Sequence, residues 1–217
     1  GIKDPADIES ATGLHVFATV PHSAAQDNLS KLIKAQALGK HLLAIIQPDD
    51  PGVESLRSLR TALQFAMLDA PNNIVLFTGP TPGIGKSFTS TNFAAVLGAS
   101  GKRVLLIDAD MRKGHLHQFF GMKRGEGLSE LITGTRVLSD TVRRSVVPGL
   151  DLITTGTMPP NPGELLMSPT TRQLLESLSR QYDLVLIDTP PVLAVSDTQV
   201  IASHAGTVFL VARAEVT

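Results

Sequence analysis

The chain has 217 residues, 42% of them hydrophobic, with mean hydropathy +0.14, a formal net charge of −1 and a pI near 6.7. That size fits one domain, or one with a short N-terminal extension, and the apolar content suits a sheet covered on both faces. Near-neutral charge with 4% aromatic residues argues against a nucleic-acid partner, and the absence of cysteine removes disulfides, thiolate metal sites and iron–sulfur clusters.

No apolar run is long enough to cross a membrane as a helix and no signal peptide is visible, so the chain is expected to be soluble as it stands. It begins at Gly1 and ends at Thr217 just after a strand-like run, which reads as a piece of a longer protein.

In chain order, residues 14–21 read as a short strand closed by Pro21, and residues 23–40 as a loose polar linker. Residues 1–40 are therefore expected to form an N-terminal segment leading into a domain over 41–217. Leu42-Leu43-Ala44-Ile45-Ile46 is a candidate strand, and the Pro48–Gly52 cluster a turn. A helix should follow over 53–68, with Leu56, Leu59, Leu63 and Phe65/Met67 as its apolar stripe and Glu54, Arg57 and Arg60 sharing a polar face.

Residues 74–87 carry the first chemical signal. An apolar strand, Ile74-Val75-Leu76-Phe77, runs into Thr78-Gly79-Pro80-Thr81-Pro82-Gly83-Ile84-Gly85-Lys86-Ser87, and a helix signal over 88–97 follows. Such a loop turns backbone N–H groups and a helix N-terminus toward one anion. Gly83 and Gly85 allow close backbone approach, Lys86 supplies charge to outer phosphates, and the Ser87 hydroxyl suits a magnesium ion. The G-x-x-x-x-G-K-[ST] pattern has Pro80 where its first glycine belongs, with Gly79 one place early.

Residues 102–112 read as a buried strand ending in Asp108-Ala109-Asp110, with Arg112 just beyond. Ligands of open α/β sheets sit outside the carboxyl ends of strands, which puts both carboxylates where a nucleotide would be. His115 and His117 lack a nearby third ligand and read as surface or cap residues. The pairs Arg112-Lys113, Lys123-Arg124 and Arg143-Arg144 read as solvated surface.

A short helix is expected over 127–132, a strand over 150–154, a proline-stiffened entry to a helix over 158–166 and a second helix over 170–180. Residues 142–148 are ambiguous between strand and loop. The strand over 182–191 ends in Asp188, costly to bury unless it has partners. Residues 196–203 read as a helix and 206–212 as a last strand. The alternation of strands and helices predicts a doubly wound α/β fold with a mainly parallel sheet, the three motifs together make it a P-loop NTPase, and the resemblance given next implies its ParA/MinD-like branch.

These motifs together resemble the bacterial tyrosine kinases (BY-kinases), the cytoplasmic domains or partners of exopolysaccharide co-polymerases. The loop over 79–87 matches their Walker A, residues 105–112 their Walker A′ with D-x-D-x-R, and residues 184–191 their Walker B. Glu54/Arg57/Arg60 matches their E-x-x-R-x-x-R helix, and residues 159–166 their P-P-N-P-x-E-L-L run. ParA/MinD-type ATPases carry a signature lysine where this chain has Thr81, and iron–sulfur scaffold ATPases need cysteines.

The resemblance implies ATP or ADP with Mg2+ as ligands. Gly83, Ile84, Gly85, Lys86, Ser87, Phe88 and Arg112 would bind the nucleotide, and Ser87, Asp108 and Asp188 the metal. Lys86, Asp108 and Asp110 would be catalytic, with Asp108 as a candidate acceptor of the tyrosine hydroxyl proton. It further implies a ring of copies assembled through Glu54, Arg57 and Arg60. The acceptor would be a tyrosine-rich tail on a neighbouring subunit, absent from this chain, and a cognate tyrosine phosphatase would reverse the reaction.

The parent protein would lie at the cytoplasmic face of the bacterial inner membrane, joined to a membrane-embedded co-polymerase region, and act in exopolysaccharide polymerisation and export. A nucleotide-gated assembly ATPase without obligatory tyrosine transfer is the alternative. The single tyrosine, Tyr182, reads as a packing residue. The family's internal tyrosine and its arginine partner correspond to His115 and Thr155, which implies that this switch is absent.

Overall fold

A computed structural model describes residues 23–79, 85–190 and 205–211. Among them six strands form one sheet in the order β3-β4-β2-β5-β1-β6. These are β1 (Ile74–Thr78), β2 (Val104–Asp108), β3 (Arg143–Val147), β4 (Leu150–Ile153), β5 (Leu184–Asp188) and β6 (Thr207–Leu210). All neighbours pair in parallel except the β3–β4 hairpin at one edge.

The three central strands β1, β2 and β5 are buried at every position, as strands covered on both faces must be. Their side chains alternate between two cores. Val75, Phe77, Leu106 and Leu186 pack with Leu56, Leu63, Phe93 and Leu97 on one face. Leu76, Leu105, Ile107, Val185 and Ile187 pack with Leu128, Leu166, Leu175 and Leu178 on the other. Helices on both faces of a mainly parallel sheet make the fold doubly wound, as expected.

The helices α1 (Ala24–Lys34), α2 (Leu43–Ile46), α3 (Pro51–Met67), α4 (Lys86–Ala99) and α5 (Leu116–Phe119) contribute to the first face. On the second lie α6 (Leu128–Thr133), α7 (Leu138–Thr141), α8 (Pro162–Met167) and α9 (Pro169–Gln181). Helix α4 has no exposed side. Every residue from Lys86 to Gly98 is buried, so it runs as a central rod between the sheet and α3.

Several expectations are corrected. The stretch expected to be loose contains α1, whose Leu29 and Ile33, one turn apart, enter the first core, and whose Ser23 caps it by accepting from the Gln26 N–H. Leu43–Ile46 is a helical turn rather than a strand, because the side-chain Oδ1 of Asn92 on α4 takes the Ala44 N–H that a strand would offer to a neighbour. In α3 the apolar stripe is Leu56, Leu59 and Leu63, while Phe65 stands 70% exposed.

Residues 142–148 resolve into edge strand β3, interrupted where Ser145 takes φ +50°. The strand and helix expected over 14–21 and 196–203 lie outside the described residues. None of the helices among the described residues is long and apolar enough to cross a membrane.

The basic pairs are not all solvated surface. Arg124 donates to the Gly114 carbonyl, and Arg143 donates to the carbonyls of Arg124 and Glu126, tying the 114–126 loop to β3. His117 is buried, 9% exposed, rather than a surface or cap residue. Its Nδ1 and the Nε of Arg124 have no hydrogen-bond partner among the described residues. Burial, then the charges of Arg124, His115 and Arg143, push its pKa down to about 4.

Candidate active site

The parallel strands β1, β2 and β5 end side by side, with Phe77 and Asp108 both in register with Asp188. Their tips are tied together: Ala109 N–H donates to the Asp188 carbonyl, and both the N–H and the hydroxyl of Thr189 donate to the Phe77 carbonyl. Sequence reading passed over Thr189, since a threonine after a strand carries no motif of its own.

After β1 the chain enters α4 at Gly85, whose φ of +85° is a left-handed conformation natural to glycine. Among the described residues no side chain caps the N–H groups of its first turn, Lys86, Ser87 and Phe88. That is the arrangement an anion completes. The Phe88 ring packs in the core, so only its backbone is available to a ligand. Gly83 and Ile84, with Pro80 and Thr81, lie outside the described residues.

One carboxylate holds both candidate ligand-binding side chains. Lys86 Nζ pairs with Asp188 Oδ1, and Ser87 Oγ donates to Asp188 Oδ2 at 2.8 Å. Asp188 is 1% exposed and Lys86 8%. Asp108, also buried, accepts the Asp110 and Leu116 N–H groups, each at 3.1 Å, on its two oxygens. Burial, then the charge of Asp188, pushes its pKa up to about 7, against the pull of those two bonds and of Lys86.

Two buried carboxylates thus stand at neighbouring strand ends, with one buried ammonium paired to Asp188. The donors that converge are a hydroxyl and carboxylate oxygens, hard ligands with surplus negative charge, which fit a magnesium ion. Among the described residues no group of three or more His, Cys, Asp or Glu could hold a metal. A cation here would draw its remaining ligands from water and phosphate, as magnesium does in phosphoryl-transfer sites.

Other expected site residues sit further out. Asp110 turns back on its own loop, its Oδ1 accepting the Lys113 N–H at 3.2 Å and the Arg112 N–H at 3.4 Å, and Arg112 is exposed. The three residues expected on one polar face of α3 span an arc of roughly 120°. Arg57 pairs with Glu54 at 2.9 Å and donates to the Pro48 carbonyl, whereas Arg60 lines a cavity elsewhere. Thr155 packs against Gly114, the residue before His115, since a Cβ on Gly114 would stand 2.1 Å from the Thr155 methyl.

Two further residues brace α4. Gln26 of α1, 9% exposed, brings its amide to 3.9 Å from where a Gly85 Cβ would stand, and Asn92 bridges α4 to α2. Neither was legible in the sequence: their importance lies in long-range packing, not in spacing.

A protein-family model described as "AAA domain" matches residues 72–215. The chain is 60% identical over 215 residues to the putative tyrosine-protein kinase EpsB of Ralstonia solanacearum, covering 99% of this chain and 29% of that protein. It therefore spans less than a third of that relative's length. The kinase domain of Escherichia coli tyrosine kinase ETK superposes with a TM-score of 0.88 at 43% identity, covering 100% of this chain and 84% of that one.

The septum site-determining protein MinD of Pyrococcus horikoshii, solved with Mg-ADP, gives a TM-score of 0.55 at 21% identity, covering 64% of this chain and 57% of that one, a likeness of fold alone. With its sheet order, its helix entered through Gly85 and Lys86 and its paired strand-end carboxylates, the chain belongs to the AAA-domain P-loop family and, within it, to the kinase domains of the bacterial tyrosine kinases.

Proposed function

We propose that this domain transfers the γ-phosphoryl group of ATP to tyrosine hydroxyls on a tail carried by a neighbouring copy. The observation that carries this reading is the placing of Asp108 and Asp188 side by side at buried strand ends, with Lys86 and Ser87 both held by Asp188. Phosphoryl transfer asks a protein mainly to position groups and neutralise charge.

In this reading Lys86 and the first N–H groups of α4 bind the outer phosphates, joined by the loop residues Gly83, Ile84 and Gly85. Ser87 and Asp188, with Asp108 beside them, hold Mg2+, which supplies charge neutralisation on the phosphates when bound. The tyrosine oxygen attacks the γ-phosphorus, the bond to the β–γ bridging oxygen breaks, and ADP leaves. The phenolic proton passes to the Asp108 carboxylate, whose raised affinity for protons suits a general base. Asp110 shapes the loop that presents Arg112, a candidate contact for the phosphates.

Copies associate through the helix bearing Glu54, Arg57 and Arg60. The whole protein, of which this domain is a part, acts at the cytoplasmic face of a bacterial inner membrane in exopolysaccharide export, with a cognate phosphatase removing the phosphate. The test is incubation with γ-labelled ATP, Mg2+ and a tyrosine-rich tail supplied in trans. Label on tyrosine that vanishes in Lys86→Met is expected; phosphate release with no tyrosine label would overturn the reading.

A further inference from the structure

The opposite end of the sheet holds a cavity of about 230 Å³, between the C-terminal half of α3, the end of α4 and the starts of β2 and β5. Leu63, Met67, Leu97 and Leu184 give it an apolar lining, and three of these, Leu63, Leu97 and Leu184, are themselves buried. Arg60 and Lys102 stand around it. The volume equals that of roughly eight waters, enough for a short hydrocarbon body and small for a larger ligand.

Charge gives the cavity its chemistry. Its one carboxylate, Asp183, is already engaged: it accepts the Arg103 N–H at 2.8 Å and lies 3.7 Å from the Arg103 guanidinium. These contacts, the backbone bond first, hold it below the usual carboxylate range. Arg60 makes no hydrogen bond or ion pair among the described residues, unlike Arg57 one turn earlier. An apolar pocket is thus bordered by two cations, one of them a half-buried guanidinium without an anion. Guanidinium is weakly hydrated and suited to carboxylate or phosphate at such a place.

We propose that this cavity is a binding site for an amphipathic anion. A short apolar chain would seat against the leucines, and its carboxylate or phosphate-monoester head would be held by Arg60 and Lys102. The site is separate from the strand tips where nucleotide chemistry is proposed, but it shares Arg60 with the helix through which copies are proposed to associate, so an anion held here would compete with a neighbouring copy for that side chain.

The experiment is a calorimetric titration of the 217-residue chain with octyl phosphate, octanoate and neutral 1-octanol, all below their aggregation limits, with amide shifts followed by NMR. The two anions should bind at least tenfold tighter than octanol and perturb Leu97 and Leu184. Lys102→Gln and Arg60→Gln should each weaken the anions several-fold and leave octanol unchanged. Lys102 lies outside α3, so its effect cannot come from altered association through that helix, and as an exposed side chain its replacement should not disturb folding.

Octanol binding as tightly as the anions, indifference to both substitutions, or shifts confined to another surface would overturn the proposal. So would sedimentation showing that a second copy of the chain covers the cavity and that Lys102→Gln releases it.

Discussion

The two ends of the same sheet handle charge in opposite ways. At the carboxyl ends Asp108 and Asp188 are each 1% exposed, and the Lys86 ammonium paired with Asp188 is buried too. At the amino ends the ion pair Arg103–Asp183 is open to water, with side chains 70% and 42% exposed, and the space between elements is lined by leucines. Exposed pairs contribute little because solvent screens them, whereas a buried charge that loses its partner costs several kcal/mol. One sheet therefore has a tip where electrostatics cannot be altered cheaply and a base where it can.

The largest effect should follow Lys86→Met, which leaves Asp188 buried without its cation. Tyrosine transfer is expected to fall by about 100-fold or more, measured as label incorporated per minute. Survival of most activity would mean that the strand tips are merely structural.

Asp108→Asn should change the pH dependence of stability as well as the activity. The native carboxyl keeps its proton up to about pH 7, whereas the unfolded one loses it near 3.8. The stabilisation from this group is complete below that lower value and is lost as pH rises through 7. The variant, measured without nucleotide, should gain on the wild type by on the order of a few kcal/mol between pH 5 and pH 8 in denaturant melts. Parallel curves would contradict the burial argument.

His117 titrates in the other sense. Its native pKa of about 4 lies below the ordinary 6.5, so the unfolded chain takes up protons first and stability falls as pH drops from 6.5 toward 4. His117→Gln should flatten that decline in thermal melts; an unchanged slope would place the loss elsewhere.

Smaller effects belong to the exposed and half-exposed contacts. The Tyr182 hydroxyl donates to Asp151 Oδ2 at 2.6 Å, joining the start of β5 to β4, and burial, then Asp151, raise its pKa well above the usual phenol. Tyr182→Phe should cost about 1 kcal/mol in urea melts. Arg57→Ala should change the melting of the isolated domain by no more than about 0.5 kcal/mol, since its partner Glu54 is exposed. A cost of several kcal/mol at either position would erase the contrast between the tip and the rest.

The strand tips were legible in the sequence because they combine two signals that rarely coincide: an unbroken apolar run and a carboxylate or glycine-rich turn at its end. The runs before Asp108 and Asp188 fix strand, burial and address at once. Leu42–Ile46 offered the apolar run alone, and a short apolar run does not separate a strand from a buried helical turn. Helix α1 was hidden by its polar composition, since only Leu29 and Ile33 mark its buried side.

Arg124, Arg143 and His117 could not be read either, because their meaning depends on which carbonyls a distant loop turns toward them. The cavity at the base has no motif. It arises where Leu63, Leu97 and Leu184, each unremarkable in its own element, leave a space between helices and strand starts.

The most direct test of the account compares the tip with a residue near the base in a single reaction. Wild type, Asp108→Asn and Tyr182→Phe are each given γ-labelled ATP, Mg2+ and the tyrosine-rich tail in trans, and labelled phosphotyrosine is counted after one turnover. Wild type and Tyr182→Phe should label the tail alike, with no label on the domain's own tyrosine, while Asp108→Asn falls by about 100-fold. Equal labelling by all three, or label on Tyr182 itself, would contradict the assignment of the buried strand tips as the site of phosphoryl transfer.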